Sequence, residues 1–219
     1  MKHLLLPLIL MLGCVAPAAS AQDIFDSGKR DPYLGVRLGL DITCPTNVDY
    51  GGFKMDWYNP GAGFELGAVY NIQLWKNLYF EPGLNIYYST MRGEVGTGAF
   101  PASETMKESV RRFGFRIPIR AGYSFDLGFG SISVFTGPRI SLPLIGRYHA
   151  KVDKISESQN LYKDGMFMHR VDLGWQFGAG FTYDHWVFEI SGTAGMLDMY
   201  KGPASMHDNG VDITFGYNF

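Results

Sequence analysis

The side chains that could carry chemistry are present but scattered. Beyond the leader there are four histidines, His149, His169, His185 and His207. Nucleophilic catalysis needs a base within reach of a serine, usually oriented by an acid. A His-x-Ser pair on a strand would put both groups on one face, and none of the four has that spacing. Ser205 beside His207-Asp208 is the nearest approach to a triad, and in so polar a segment it reads as solvated surface. No His/Cys group has the spacing of a metal site. Cys44 is a lone thiol and reads as structural, and the many glycines fall in strand phase, not in a phosphate loop before a helix. No catalytic, cofactor-binding or metal residues are therefore assigned. A different charged set is ordered: Arg37, Asp41, Glu65, Glu81, Arg116, Arg120, Arg139, Asp172, Glu189 and Asp212 alternate with apolar neighbours. Gathered in one interior, these opposite charges satisfy one another and fill space.

Strands must position that set. Alternation of apolar and polar residues means two environments on two faces. Leu34, Val36, Leu38, Leu40 and Ile42 oppose Gly35, Arg37, Gly39 and Asp41. The pattern recurs from Gly61 to Leu74, Leu78 to Tyr88, Phe113 to Tyr123, Ile132 to Leu142, Val171 to Tyr183, Trp186 to Thr193 and Val211 to Phe219. Eight strands of this length suit a tilted crossing of a bilayer, and an even number suits a single-chain bacterial barrel. The polar face is rich in Gly, which fits a cramped lumen better than a solvated surface. The aromatic, nearly charge-free face then meets lipid, and closure pairs every backbone group. The fold class expected is all-β, an eight-stranded antiparallel up-and-down transmembrane barrel.

The connections alternate in length. Pro45–Pro60, Ser89–Arg112, Ile145–Arg170 and Asp198–Asn209 are long; Trp75–Asn77, Phe125–Gly130 and Asp184-His185 are short. Such barrels have long outer loops and short periplasmic turns, so both termini are expected in the periplasm. Trp75, Tyr79, Tyr123, Tyr183, Trp186 and Phe219 are expected near one rim as an aromatic girdle. Loops 89–112 and 145–170 carry mixed charge and are the candidate extracellular ligand sites; segment 89–112 could form a short helix or extend its hairpin. Pro82 and Pro138 lie mid-strand, where a lost ladder bond predicts a bulge or slack pairing.

Composition agrees. The chain has 219 residues, a net charge of −2 and a mean hydropathy of −0.04, which strict alternation explains. Near-neutral charge argues against a nucleic-acid partner. Lys2, the apolar run Leu4–Leu12 and the Ala19-Ser20-Ala21 site form a signal peptide over residues 1–21, leaving 22–219 as the barrel domain. Cleavage before a lipidated Cys14 is the alternative, and Met11-Leu12-Gly13 fits that signal poorly.

Residues 63–93, GFELGAVYNIQLWKNLYFEPGLNIYYSTMRG, resemble the central hairpin of the PorT-like outer-membrane β-barrel family common in Bacteroidetes. FRIPIRAGY, with its Ile117-Pro118 pair, resembles that family's next strand, and the terminal ITFGYNF its closing strand. The resemblance implies an outer-membrane location, surrounding outer-membrane lipid, and a final aromatic, Phe219, read by the barrel-assembly machinery. It implies no reaction; most of the family has no assigned activity, and one branch takes part in a secretion system. The function expected is a non-catalytic integral outer-membrane protein, structural or binding through its outer loops. The rivals are a lipid-modifying barrel enzyme and a narrow or secretion-associated channel.

Overall fold

The computed structural model describes residues 32–96, 105–152, 155–162 and 168–219. The leader, its cleavage site and Cys14 lie outside these residues. The strands, in chain order, are β1 (Tyr33–Pro45), β2 (Val48–Tyr50), β3 (Phe53–Met55), β4 (Tyr58–Asn59), β5 (Gly61–Trp75), β6 (Leu78–Gly96), β7 (Thr105–Asp126) and β8 (Ser131–Val152). They continue with β9 (Ile155–Asn160), β10 (Asp172–Tyr183), β11 (Trp186–Gly195), β12 (Ala204–Ser205) and β13 (Asp208–Asn218).

Among the described residues, eight of these close into an antiparallel barrel: β1, β5, β6, β7, β8, β10, β11 and β13, each beside its sequence neighbours. The ring is completed by β13 on β1, from Gly35↔Asn218 to Pro45↔Asp208. No described helix is long and apolar enough to span a membrane; the crossing is made by strands.

The two faces separate as alternation requires. Leu40 is 64% exposed, Phe177 58% and Phe215 52%, whereas Asp41 is 1% and Arg116 2% exposed. Burying apolar side chains drives folding in water, so a molecule that turns charge inward and aromatic rings outward has hydrocarbon as its solvent.

Glycine makes the interior possible at close approaches. A Cβ on Gly67 would lie 2.3 Å from the Leu84 carbonyl oxygen, and one on Gly122 only 2.3 Å from Tyr79 Cζ. Tyr79 is thus buried against Gly122 inside the barrel, and does not join the outer girdle. Its strand phase, shared with Glu81, overrides the preference of Tyr for interfaces. Trp75, Tyr123, Tyr183, Trp186 and Phe219 are exposed. Trp186 stacks on Phe215 at 5.1 Å and Tyr217 meets Phe219 at 5.2 Å.

At the prolines the pairing is slack, without a register shift. The β5–β6 ladder is interrupted opposite Pro82, between Val69↔Gly83 and Ile72↔Phe80. The β7–β8 ladder is interrupted at Pro138, between Pro118↔Arg139 and Ala121↔Thr136. The shifts fall elsewhere, between Gln73 and Trp75 and between Phe113 and Gly114.

Of the two forms expected of segment 89–112, the extended hairpin is the one observed, whereas segment 145–170, expected as a loop, departs from that expectation. β6 and β7 stay paired up to Gly96↔Thr105, and β7 and β8 up to Lys107↔Lys151, with β9 added beside β8. β7 and β8 each have 22 residues, about twice what a crossing needs. One side of the barrel therefore rises as a wall at the end opposite the chain termini, called here the far end. The start of β1 and the chain's last residues lie with the short turns: the Asn218 N–H donates to the His185 carbonyl, and that of Phe219 to Leu34.

Candidate functional site: a charged lumen under an apolar cap

The lumen is layered. Nearest the termini, Arg120 bridges Glu81 and Glu189, the latter at 2.9 Å. Arg37 sits 3.8 Å from the same two carboxylates. The middle layer centres on Arg116, which contacts Asp41 at 2.8 Å, Glu65 at 3.3 Å and Asp212 at 3.7 Å. Arg139 donates to Asp212 at 2.6 Å. Nine of the ten charges picked out by alternation are joined in these two layers. The tenth, Asp172, is half-buried higher up and makes no ion pair among the described residues.

Other members were not recognised from sequence. Arg112 and Asp208 form a third layer at 2.8 Å, both buried. Arg116 lies over the Tyr87 ring at 4.3 Å and Arg120 over Phe135 at 4.5 Å, each an inward cation–π contact. The signal was available, because Arg112 and Asp208 stand in phase with Arg116 and Asp212 along their strands. They fall in the expected loops because the apolar half of the alternation stops there.

Pairing Asp208 with Arg112 also takes the acid out of the Ser205-His207-Asp208 grouping and into the lumen; the backbone N–H of His207 donates to Thr46 Oγ1 at 2.9 Å. Among the described residues no group of three or more His, Cys, Asp or Glu is placed to hold a metal ion. Cys44 is a free thiol, half-buried at the far end of β1.

Above the third layer the contents change abruptly. Val48, Tyr58, Met91, Val110, Leu161, Tyr162, Met168, Met199 and Met206 form a buried apolar core over the far end. Its walls are the raised parts of β6–β8. Its roof is a small sheet in which β3 and β12 flank β2, turned at Gly51 and Gly52 with φ of 61° and 94°. Polar groups in the cap are tied down. Trp57 Nε1 donates to Glu108 at 2.8 Å, and Asp198 accepts from the Tyr200 and Met206 N–H groups at 2.9 and 3.0 Å. Partial burial pushes the Asp198 carboxyl up, but these backbone donors win and hold it below its usual range. Burial raises the Tyr58 and Tyr162 phenols above theirs, so both stay neutral.

The other end is open. A polar cup of about 330 Å³ is lined by Tyr33, Asn71, Tyr79, Ser133, Glu189 and others. Past its floor, the space among Arg37, Glu65, Arg120 and Arg139 shrinks to about 10 Å³, roughly one water.

A closed barrel with a lipid-facing apolar band and a charged interior defines an outer-membrane barrel protein. The family model for the outer membrane protein beta-barrel domain matches residues 26–201, and the chain belongs to that family. No curated protein matches the chain. Among solved structures it is similar to the Neisserial surface protein A, with 12% identity over 87% of this chain and all of that one, at a TM-score of 0.47. OprG from Pseudomonas aeruginosa is 12% identical over 88% of this chain and 98% of that one, with TM-score 0.47. Ail of Yersinia pestis is 16% identical over 87% and 100%, with TM-score 0.44.

Proposed function

We propose that this protein is a non-catalytic, non-conducting barrel that presents its far end outside the cell as a rigid binding platform, with both chain ends in the periplasm. The observation that carries this reading is the apolar cap. A pore needs a wet path, and here nine apolar side chains cover one mouth while the interior beneath them is filled by paired charges. A platform needs loops held in one arrangement, and the cap locks the segments that carry β2, β3 and β12 onto the wall. The resemblance of residues 63–93 further supports a place in the PorT-like family, the pattern of residues 1–21 supports arrival through their cleavage, and the resemblance of the terminal ITFGYNF supports recognition of Phe219 by the barrel-assembly machinery. Surrounding outer-membrane lipid is the partner that the apolar band calls for.

Two measurements test this. In a Cys44→Ser background, Lys54→Cys in the cap and Phe129→Cys in a turn at the terminal end are treated on whole cells with a membrane-impermeant maleimide. Labelling of Lys54→Cys alone is expected; labelling of Phe129→Cys alone reverses the orientation. In planar bilayers the purified protein is expected to give no conductance steps, and steady single-channel steps would overturn the closed-platform reading.

A further inference from the structure

The outward face of the raised wall carries a charge pattern that neither folding nor the lumen uses. Phe113 and Ile145 are register partners, both exposed, and form the last apolar pair of the lipid face. The next outward pair is Arg111↔Arg147, then Ser109↔His149, then Lys107↔Lys151. Arg92 of β6 stands opposite Ser109 on the same face. Arg92, Lys107, Arg111, Arg147 and Lys151 are all exposed. Glu94 is the register partner of Lys107, so the argument rests on the three arginines. Among the described residues no carboxylate lies within ion-pair distance of Arg92, Arg111 or Arg147. The wall acid Glu108 is turned the other way, buried inward where it accepts from Trp57 Nε1.

Like charges directly opposite on antiparallel strands repel and destabilise the pair. The Arg111↔Arg147 pair has no carboxylate beside it among the described residues, so an external anion is needed to offset it. Their height says which. Arg111 and Arg147 lie two residues past Phe113 and Ile145, roughly 7 Å along the strand. That is the depth of the headgroup layer, roughly 5–8 Å beyond the hydrocarbon on each side. At that level the principal charge is phosphate, which a guanidinium engages with two parallel hydrogen bonds. The pattern occupies one sector only, since the corresponding outward positions of β1 and β13 are Ile42 and Val211.

We propose that Arg92, Arg111, Arg147 and Lys151 form a docking face for phosphate-bearing lipid headgroups in the leaflet around the far end. The inference rests on the membrane-spanning fold and not on which side the far end faces.

The test uses the full mature chain in nanodiscs of equal parts phosphatidylcholine and phosphatidic acid, with retained lipids counted by native mass spectrometry. Wild type is expected to enrich phosphatidic acid, and R111Q/R147Q to lose that enrichment by about 30-fold, the factor two basic groups supply at a membrane surface. K54Q/K201Q, which removes two exposed charges elsewhere, is expected to keep it. In pure phosphatidylcholine, R111Q/R147Q is expected to unfold at or above the wild-type temperature, because the repulsion is gone. Equal enrichment in wild type and R111Q/R147Q overturns the proposal. So does an equal loss in K54Q/K201Q, or a wild type that binds soluble heparin or DNA without preferring the anionic lipid. Folding is read separately, by the gel shift between boiled and unboiled samples; if wild type shows no shift, it is the barrel that is refuted.

Discussion

Arg116→Met is the sharpest probe of the interior. The guanidinium has three carboxylates within 4 Å, Asp41, Glu65 and Asp212, and the Tyr87 ring at 4.3 Å. Each ion pair is worth about 4 kcal/mol of gross attraction at an effective dielectric of ~20, and the desolvation of four buried ions takes back most of it. Removing the cation alone leaves the acids buried beside one another. Breaking a buried pair in this way costs about 3–5 kcal/mol, and three acceptors around one donor put the expectation near the top of that range. Removing the closest acid as well, in R116M/D41N, takes away part of the orphaned charge and should recover at least about 1 kcal/mol relative to the sum of the single variants, by the double-mutant cycle. The assay is urea unfolding in lipid vesicles, with the folded fraction read from the faster unboiled band. The reasoning fails if Arg116→Met costs under about 1 kcal/mol, or if the cycle shows no coupling; the lumen would then be wet enough for water to replace the guanidinium.

Two further outcomes are expected. Ile190→Arg places a charge on the exposed face of β11 and should destabilise the barrel in vesicles by about 2–4 kcal/mol, while the same change in a short-chain detergent should cost much less; equal costs would mean that this face does not meet hydrocarbon. Asp198→Asn weakens the acceptor that ties the segment around Tyr200 and Met206. Because the folded carboxyl titrates below its ordinary value, its stabilising effect is present at neutral pH and disappears as pH falls through the folded-state value. Protease cleavage within 198–207 should therefore be faster in the variant at pH 7 and alike in both proteins in strong acid; a difference that persists in acid would refute the assignment.

The sequence disclosed the barrel because its two environments differ along the whole of each crossing. Val36 and Arg37, or Phe115 and Arg116, cannot exchange faces, so every strand announces its phase. The wall was legible only in part, for a related reason. Along β7 the apolar residues point outward at Phe113 and Phe115, but above Arg112 the apolar residue is Val110, pointing inward into the cap, and the outward one is Arg111. The period of two continues while the apolar phase inverts, since the outside has changed from lipid to headgroup and water. A reading that follows one constant apolar face ends the strand there and takes the remainder for a mixed-charge loop. Tyr79 misled differently, its ring being admitted to the lumen only by the missing Cβ of Gly122, a contact 43 residues away in the chain that no local pattern reveals. The cap was illegible because it is assembled from isolated residues, such as Val48, Met91, Leu161 and Met206, that meet only once the barrel is closed.

That closure has a consequence for assembly. Arg112 and Arg139, on β7 and β8, find Asp208 and Asp212 on β13, and Arg116 shares Asp212 with Arg139. β13 is the last of the described strands in chain order and the one that meets β1. Until it docks, Arg112 and Arg139 lack their carboxylate partners on the surface that will become the interior, and such unpaired charge holds that surface at the water boundary. Sealing the seam and pairing these charges are then a single event. The chain can enter hydrocarbon cheaply only in its finished state, which makes an incomplete or mis-registered sheet self-rejecting.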